Sequence, residues 1–336
     1  MSVPSSLSSQ QSADRASGAL YGLAIGDALG MPTQLLSRRQ ITEHWGPLLT
    51  GFEPAPAWHP IAAGMPAGAV TDDTEQAVLL GRLLLTGADP RELATALIAW
   101  EREMCARGSL DLLGPSTRRA IEAVLTGTPP EEAGTSGDTN GAAMRIAPVG
   151  IATAADDLPA LVAAVHEASL VTHNTSVALA GAAAVAAAVS AGVGGADVAA
   201  AISVAIEAAR LGAERGHWVA GADVAARIEW AAGLVAGKPA EEAAAVIYSL
   251  VGTSLATQES VPAAFAVLSA VPGDPWRACL LAASLGGDCD TIAAIAGAVG
   301  GACHGLAAFP PLAASVIDAQ GLGLRGLADS LLALRA

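Results

Sequence analysis

Residues 286–305 read GGDCDTIAAIAGAVGGACHG. From Ile292 to Cys303 this run carries no charged or amide side chain, only Ile, Ala, Gly, Val and Cys. It is too long for an ordinary strand and lacks the polar–apolar alternation of a half-buried one. A helix that is apolar on every side has to be buried. A second uninterrupted run, Val177 to Val189, has the same character. Both fall short of the roughly 20 residues that span a bilayer. Both are therefore expected to be central helices of a folded core, where small residues let backbones approach closely, and no membrane span is expected.

Working outward, the pattern stays helical. Helices are expected over 15–29, 73–87, 91–105, 115–126, 157–170, 174–191, 195–210, 219–236, 239–250, 259–270, 274–284, 290–303, 310–318 and 325–335. Asp89-Pro90, Pro115-Ser116 and Asp274-Pro275 mark starts, and Gly87, Gly127 and Gly212 mark ends. Alternating β-branched runs are nearly absent, so the expected class is all-α. Residues 1–14 are Ser/Gln-rich and read as a disordered tail; residues 15–336 read as one domain. The longest irregular stretch, about 45–70, carries Trp45 and Trp58 and is expected to be a functional loop or lid.

Composition narrows the function. The chain has 336 residues, 52% apolar and 15% charged, which excludes disorder over most of its length. It carries 17 basic against 32 acidic residues, net −15, and Lys238 is the sole lysine. No cationic patch for nucleic acid or an anionic membrane is expected. Cys105, Cys279, Cys289 and Cys303 form no CxxC pair, so reduced thiols in a cytoplasmic protein are expected rather than a zinc knuckle. The N-terminus has no apolar run resembling a signal peptide.

Chemistry-bearing residues gather in five places. Gly68–Glu75 (GAVTDDTE) and Gly286–Thr291 (GGDCDT) each set two carboxylates beside a threonine at a helix start. Either could be a helix cap, with Glu75 completing a capping box in the first. Both, however, lead into apolar helices, and a buried carboxylate without a partner is costly. Neither cluster contains a basic residue, so a cation is the natural partner. Asp and Thr oxygens suit Mg²⁺, Mn²⁺ or Ca²⁺, and four Asp suffice for two ions. Gly18, Gly22 and Gly26 line one helix face and permit close packing, with Asp27 at its end. Gly137–Gly141 (GDTNG) is a glycine-flanked loop suited to oxyanions. His173 precedes the apolar run at 177–189.

In this order, GALYGLAIGDALG, GAVTDDTE, NGAAMRIAPVG, VTHNTSVALAGA and GGDCDTIAAIAGAVGGACHG resemble the ADP-ribosylglycohydrolase family. The match spans residues 18 to 305. The resemblance implies a compact multi-helix orthogonal bundle with two divalent cations, Mg²⁺ or Mn²⁺. Thr71, Asp72, Asp73, Asp288, Asp290 and Thr291 would be the ligands. Asp27, Gln34, Gly137, Asp138, Thr139, Asn140, Gly141 and His173 would face substrate, and Arg145 would be structural.

Three departures stand out. Gln34 occupies a position where relatives often carry a Glu, and Gln cannot act as a base. Cys289 replaces a Thr between the two Asp residues and should point away from the cations. Asp111, in GSLDLLG, is the expected substitute base, with Asp73 as the other catalytic candidate. The implied activity is hydrolysis of the C1 bond of a ribose, releasing ADP-ribose from a modified protein side chain or small acceptor. A smaller riboside such as a nucleoside is the alternative substrate, and an inert cation- or ligand-binding protein the other alternative.

Overall fold

The computed structural model of the chain describes residues 7–87, 89–107 and 113–335. Among these the backbone forms eighteen α-helices and no strand, with two isolated bridges, Thr139–Ala256 and Thr175–His217. Helix α1 is Ser9–Gly30 and α2 is Arg38–Trp45. After an irregular segment come α3 (Asp72–Thr86), α4 (Pro90–Ala106), α5 (Pro115–Leu125) and α6 (Pro130–Ala133). Two short helices follow, α7 (Gly141–Arg145) and α8 (Ala147–Ala152), then α9 (Leu158–His173), α10 (Ser176–Val193) and α11 (Val198–Ala213). The remainder comprises α12 (Val224–Val235), α13 (Ala240–Val246), α14 (Thr257–Ala270), α15 (Pro275–Ala283), α16 (Cys289–His304), α17 (Pro311–Asp318) and α18 (Leu324–Leu332).

The all-α expectation holds, with corrections at the edges. Residues 9–14 are not tail but the first turns of α1. Ser8 and Gln11 form a reciprocal capping box there, Gln11 Nα to Ser8 Oγ at 3.3 Å and Ser8 Nα to Gln11 Oε1 at 2.9 Å. Helix α2 was not expected, although Ser37 and Gln40 cap it in the same way. Helices α6 and α8 are too short to show a period. The two apolar runs lie where expected, buried in α10 and α16. Among the described residues, Ser176–Val193 is the helix long and apolar enough to cross a membrane, yet 89% of it is buried inside the protein.

The closest packing joins α1 to α16. They run antiparallel, since Gly18 faces Gly301, Gly22 faces Gly297, Gly26 faces Ala293 and Gly30 faces Asp290. A Cβ added at Gly22 would lie 2.0 Å from the Gly297 carbonyl oxygen, and one at Gly297 would lie 1.9 Å from the Gly22 oxygen. No side chain fits, so the two backbones touch over three turns. The glycine stripe read from the sequence is therefore a packing face.

Replacing Gly22 with Ala should destabilise the protein by about 1–3 kcal/mol or more, because backbone rather than a movable side chain is displaced. Gly233, exposed on α12 with nothing within 4 Å of an added methyl, is the control. Gly233→Ala should be neutral or stabilise by up to about 1 kcal/mol. Urea unfolding of both variants checks the ranking.

Candidate active site

The antiparallel contact carries the C-terminal end of α1 to the start of α16. The chain leaving α1 is tied down there. Thr33 Oγ1 lies 2.7 Å from the Ala283 carbonyl, Leu35 donates its N–H to Gly287 O at 2.7 Å, and Gly287 donates back to Leu36 O at 2.8 Å. Gly287 needs to be glycine: φ is 72°, and a Cβ would lie 2.2 Å from Thr253 O. Leu35 is the one non-glycine with positive φ among the described residues, at 59°. This strained backbone sets a half-exposed Leu35 at the cavity mouth. The irregular segment before α3 docks onto the same turn. His59 Nδ1 accepts from Ala62 N–H at 2.9 Å, so its Nε2–H donates to Gln34 O, also at 2.9 Å. Ile61 from that segment lines the cavity.

Asp27 holds the start of α3. Its carboxylate accepts the Thr71 N–H at 2.9 Å, the Thr71 hydroxyl at 2.8 Å, the Thr74 N–H at 3.1 Å and the Thr74 hydroxyl. A side chain from another helix thus does the work of an N-cap, and no side chain of α3 itself caps it. Glu75 completes no capping box, because it accepts the Trp100 indole N–H at 2.6 Å. Burial pushes the Asp27 pKa up to about 6 against these hydrogen bonds. Asp27 is fully buried and occupied by α3, which corrects the expectation that it faces substrate.

Asp72 and Asp73 at the start of α3, and Asp288, Asp290 and Thr291 at the start of α16, line one cavity of about 210 Å³. Gln34 joins them from the turn after α1. Thr71 does not line the cavity; its hydroxyl lies 3.4 Å from Asp73 Oδ2, and Thr291 Oγ1 lies 3.3 Å from the same oxygen. Asp73 Oδ1 is buried with no hydrogen-bond partner among the described residues. Burial first, then the charges of Asp72, Asp290, Asp27 and Asp288, raise the Asp73 pKa well above the carboxylate range. Burial also raises Asp288, opposed by hydrogen bonds from Asn140 and Thr291. Among the described residues no group of three or more His, Cys, Asp or Glu side chains is arranged to hold a metal ion as it stands. The donor set nevertheless suits a hard cation: all-oxygen, anionic, with an orphaned buried carboxylate oxygen and no Lys or Arg among the described lining residues. Cys289 is buried with Sγ 3.3 Å from Thr33 Oγ1 and does not line the cavity, as expected.

The facing wall is the loop before α7. Asn140 places its amide nitrogen 2.5 Å from Asp288 Oδ2 and 3.0 Å from Ser260 Oγ. Both amide protons are engaged, so Asn140 orients Asp288. Thr139 and Gly141 line the cavity beside it, but Gly137 and Asp138 do not. Gly137 packs on the backbone of Thr172 and donates to Gly134 O; Asp138 is exposed, with its carbonyl accepting from Thr257. His173 is fully buried behind the loop, 3.0 Å from Thr139 Oγ1, and also lines no part of the cavity. Gly137 and His173 thus stand behind the cavity wall and Asp138 outside it: the loop turns its far end inward and uses the rest for anchoring. Arg145 is structural as expected and is linked to a carboxylate through Gln76: Nη1 donates to Gln76 Oε1 at 3.2 Å, and Gln76 Nε2 donates to Asp72 Oδ2 at 2.9 Å.

Asp111 lies outside the described residues. Gly114 and Pro115, which follow it in sequence, line the cavity with Thr117. The sequence reading missed Gln76, Thr74, Thr172 and Ser260. Gln76 had a signal, sitting four residues after Asp72 on one helix face; Thr74 and Thr172 lie inside the quoted strings beside Asp73 and His173, and Ser260 is joined to the site only through space.

The family model for ADP-ribosylglycohydrolase matches residues 8–336. The chain is 36% identical over 310 residues to YegU of Escherichia coli (strain K12), covering 91% of this chain and 92% of that protein. It is 35% identical over 145 residues to the ADP-ribosyl-[dinitrogen reductase] glycohydrolase of Rhodospirillum rubrum, covering 42% of this chain and 45% of that one. With the ADP-ribosylarginine hydrolase Tri1 of Pseudomonas putida (strain GB-1) the identity is 34% over 155 residues, covering 43% and 38%. A solved structure titled ADP-ribosylglycohydrolase-related protein complex superposes with a TM-score of 0.71 at 26% identity, covering 97% of this chain and 100% of that one. A family match running the length of the described fold, with both acidic helix starts on one cavity, makes this chain a member of the ADP-ribosylglycohydrolase family, a hydrolase of glycosidic bonds.

Proposed function

We propose that this protein cleaves the C1 glycosidic bond of a ribose and removes ADP-ribose from a modified protein side chain or small acceptor, using two divalent cations, Mg²⁺ or Mn²⁺. The observation that supports it is the meeting of two acidic helix starts on one cavity: four carboxylates and Thr291, with no cationic side chain among the described lining residues. Asp72, Asp73, Asp288, Asp290 and Thr291 would hold the cations, with Thr71 beside Asp73. When bound, such cations supply Lewis acidity toward the ribose hydroxyls and a nearby water.

The chain's own residues do the rest. Asp73, whose Oδ1 is buried with no hydrogen-bond partner among the described residues, is suited to take a proton from water. Asn140 keeps Asp288 in one orientation. Gln34 takes no proton; its Nε2 is buried without a partner among the described residues, so it is held for a hydrogen bond with the ligand. Leu35, Ile61, Met144 and Leu255 give the cavity an apolar side that limits water.

A smaller riboside is the second reading. The cavity of about 210 Å³ has neither an aromatic ring nor a cationic side chain among its described lining residues. Pockets for larger ligands run from about 300 Å³ upward. Turnover of free nucleosides exceeding that of ADP-ribosyl-arginine and O-ADP-ribosyl esters by more than about tenfold in kcat/KM would favour it.

Asp72→Ala and Asp290→Ala should each abolish divalent binding in calorimetry and lower turnover more than about 100-fold. Full turnover after EDTA treatment would overturn the cation assignment. A pH dependence follows from the carboxylates. A carboxyl with a raised pKa keeps its proton where an ordinary one has lost it, and a cation must displace that proton. Affinity for Mg²⁺ or Mn²⁺ should therefore fall as the pH is lowered, and binding should release protons wherever these carboxyls are still protonated. Calorimetry in two buffers of different ionisation enthalpy measures that release.

A further inference from the structure

A chain of polar side chains, buried from Gln76 onward, runs from Asp72, on the acidic wall, to Thr139, on the loop wall. Its links are Asp72–Gln76 at 2.9 Å, Gln76–Arg145 at 3.2 Å, Arg145–Thr172 at 2.5 Å, Thr172–His173 at 2.8 Å and His173–Thr139 at 3.0 Å. Arg145, Thr172 and His173 are each fully buried. Bond distances alone leave the direction of the last two links open, because a hydroxyl and a neutral imidazole each both donate and accept.

Arg145 removes that freedom. A guanidinium only donates. Its Nη1 forces Gln76 to present Oε1, which turns the Gln76 amide nitrogen to Asp72. Its Nη2 forces Thr172 Oγ1 to accept. The Thr172 hydroxyl proton then needs an acceptor, and His173 Nδ1 is the group in reach. The opposite arrangement has both Arg145 and His173 donating into Thr172 Oγ1 and leaves a buried hydroxyl proton with nothing to bind, which native proteins avoid.

We infer that Arg145 locks His173 as the Nε2–H tautomer, so that His173 donates to Thr139 Oγ1 and the Thr139 hydroxyl presents its own proton to the cavity as a donor for a substrate oxygen. Arg145, Thr172 and His173 are positioning residues in this arrangement, and Thr139 is the group that touches ligand. Burial first, then the charges of Arg145 and Arg119, hold the His173 pKa well below its ordinary range, so the ring is neutral and has a tautomer to lock. Thr139 lines the cavity, and no other partner takes its hydroxyl proton among the described residues. The device suits an acidic cavity: with four carboxylates facing the ligand, a directed neutral donor binds an oxygen where a further acceptor would repel it. The tautomer stands on geometry alone; the ligand contact rests on the proposed riboside hydrolysis.

The test uses the intact protein. Long-range ¹H–¹⁵N correlation should show His173 with a pyridine-like Nδ1 and a pyrrole-like Nε2. Thr139→Val identifies these signals, because it removes the contact to Nε2 and leaves Nδ1 bonded. A pyrrole-like Nδ1 overturns the relay. Calorimetry with ADP-ribose as probe, in the presence of Mg²⁺, should show about tenfold weaker binding for Thr139→Val and near-native binding for Thr139→Ser. Equal binding by Val and Ser variants overturns the donor role. If the unaltered protein binds no ADP-ribose, the proposed function fails, and the histidine spectrum still decides the relay.

Discussion

The contact between α1 and α16 is made by peptide backbones. Gly18, Gly22 and Gly26 meet Gly301, Gly297 and Ala293 with no room for a Cβ at the tightest points. Everything at the site depends on this approach. Asp27 rides on the end of α1 and Gln34 on the turn that follows it, with Asp288 and Asp290 at the start of α16, so the distance between the helices sets the distance between the groups. Dispersion between closely packed backbones is weak per atom and large in sum. It is also rigid, because backbone cannot change rotamer to relieve a clash.

That rigidity is needed because the site is electrostatically unfavourable by itself. Four carboxylates share a cavity of about 210 Å³, and burial together with mutual repulsion raises Asp73 well above its usual range. Such an arrangement opposes folding unless the surroundings compensate. Asp27 contributes by capping α3 from outside the helix, which fixes Asp72 and Asp73 while satisfying the Thr71 and Thr74 donors. Asn140 contributes by holding Asp288. Neutral donors do this work where cations would be expected, in keeping with a net charge of −15 and a single lysine.

Parts of the site were legible for a physical reason. Asp72, Asp73, Asp288, Asp290 and Thr291 sit in local strings that break an otherwise apolar pattern, and an uncompensated carboxylate before an apolar helix signals itself. Gln76 had a weaker local signal at helical spacing. Asp27 and His173 misled because residue type and local position say nothing of which way a side chain faces. Asp27 looks like the end of a motif and turns out to be a cap for a helix 44 residues away. His173 looks like a loop ligand and lies one layer behind the loop. The α1 start was misplaced because composition outweighed the Ser8–Gln11 capping box.

The sequence by itself determined the all-α class, the two buried Ala/Gly helices, the glycine face and the acidic helix starts. Each is a matter of periodicity or of local composition, and each is decided within a few turns of chain. Tertiary structure alone decided that the two acidic starts share one cavity, that Asp27 caps α3, and that Arg145 reaches Thr139 through Thr172 and His173. Those relations join residues far apart in the chain. They are set by how closely helices approach and by where every buried donor finds an acceptor, and a one-dimensional pattern carries neither.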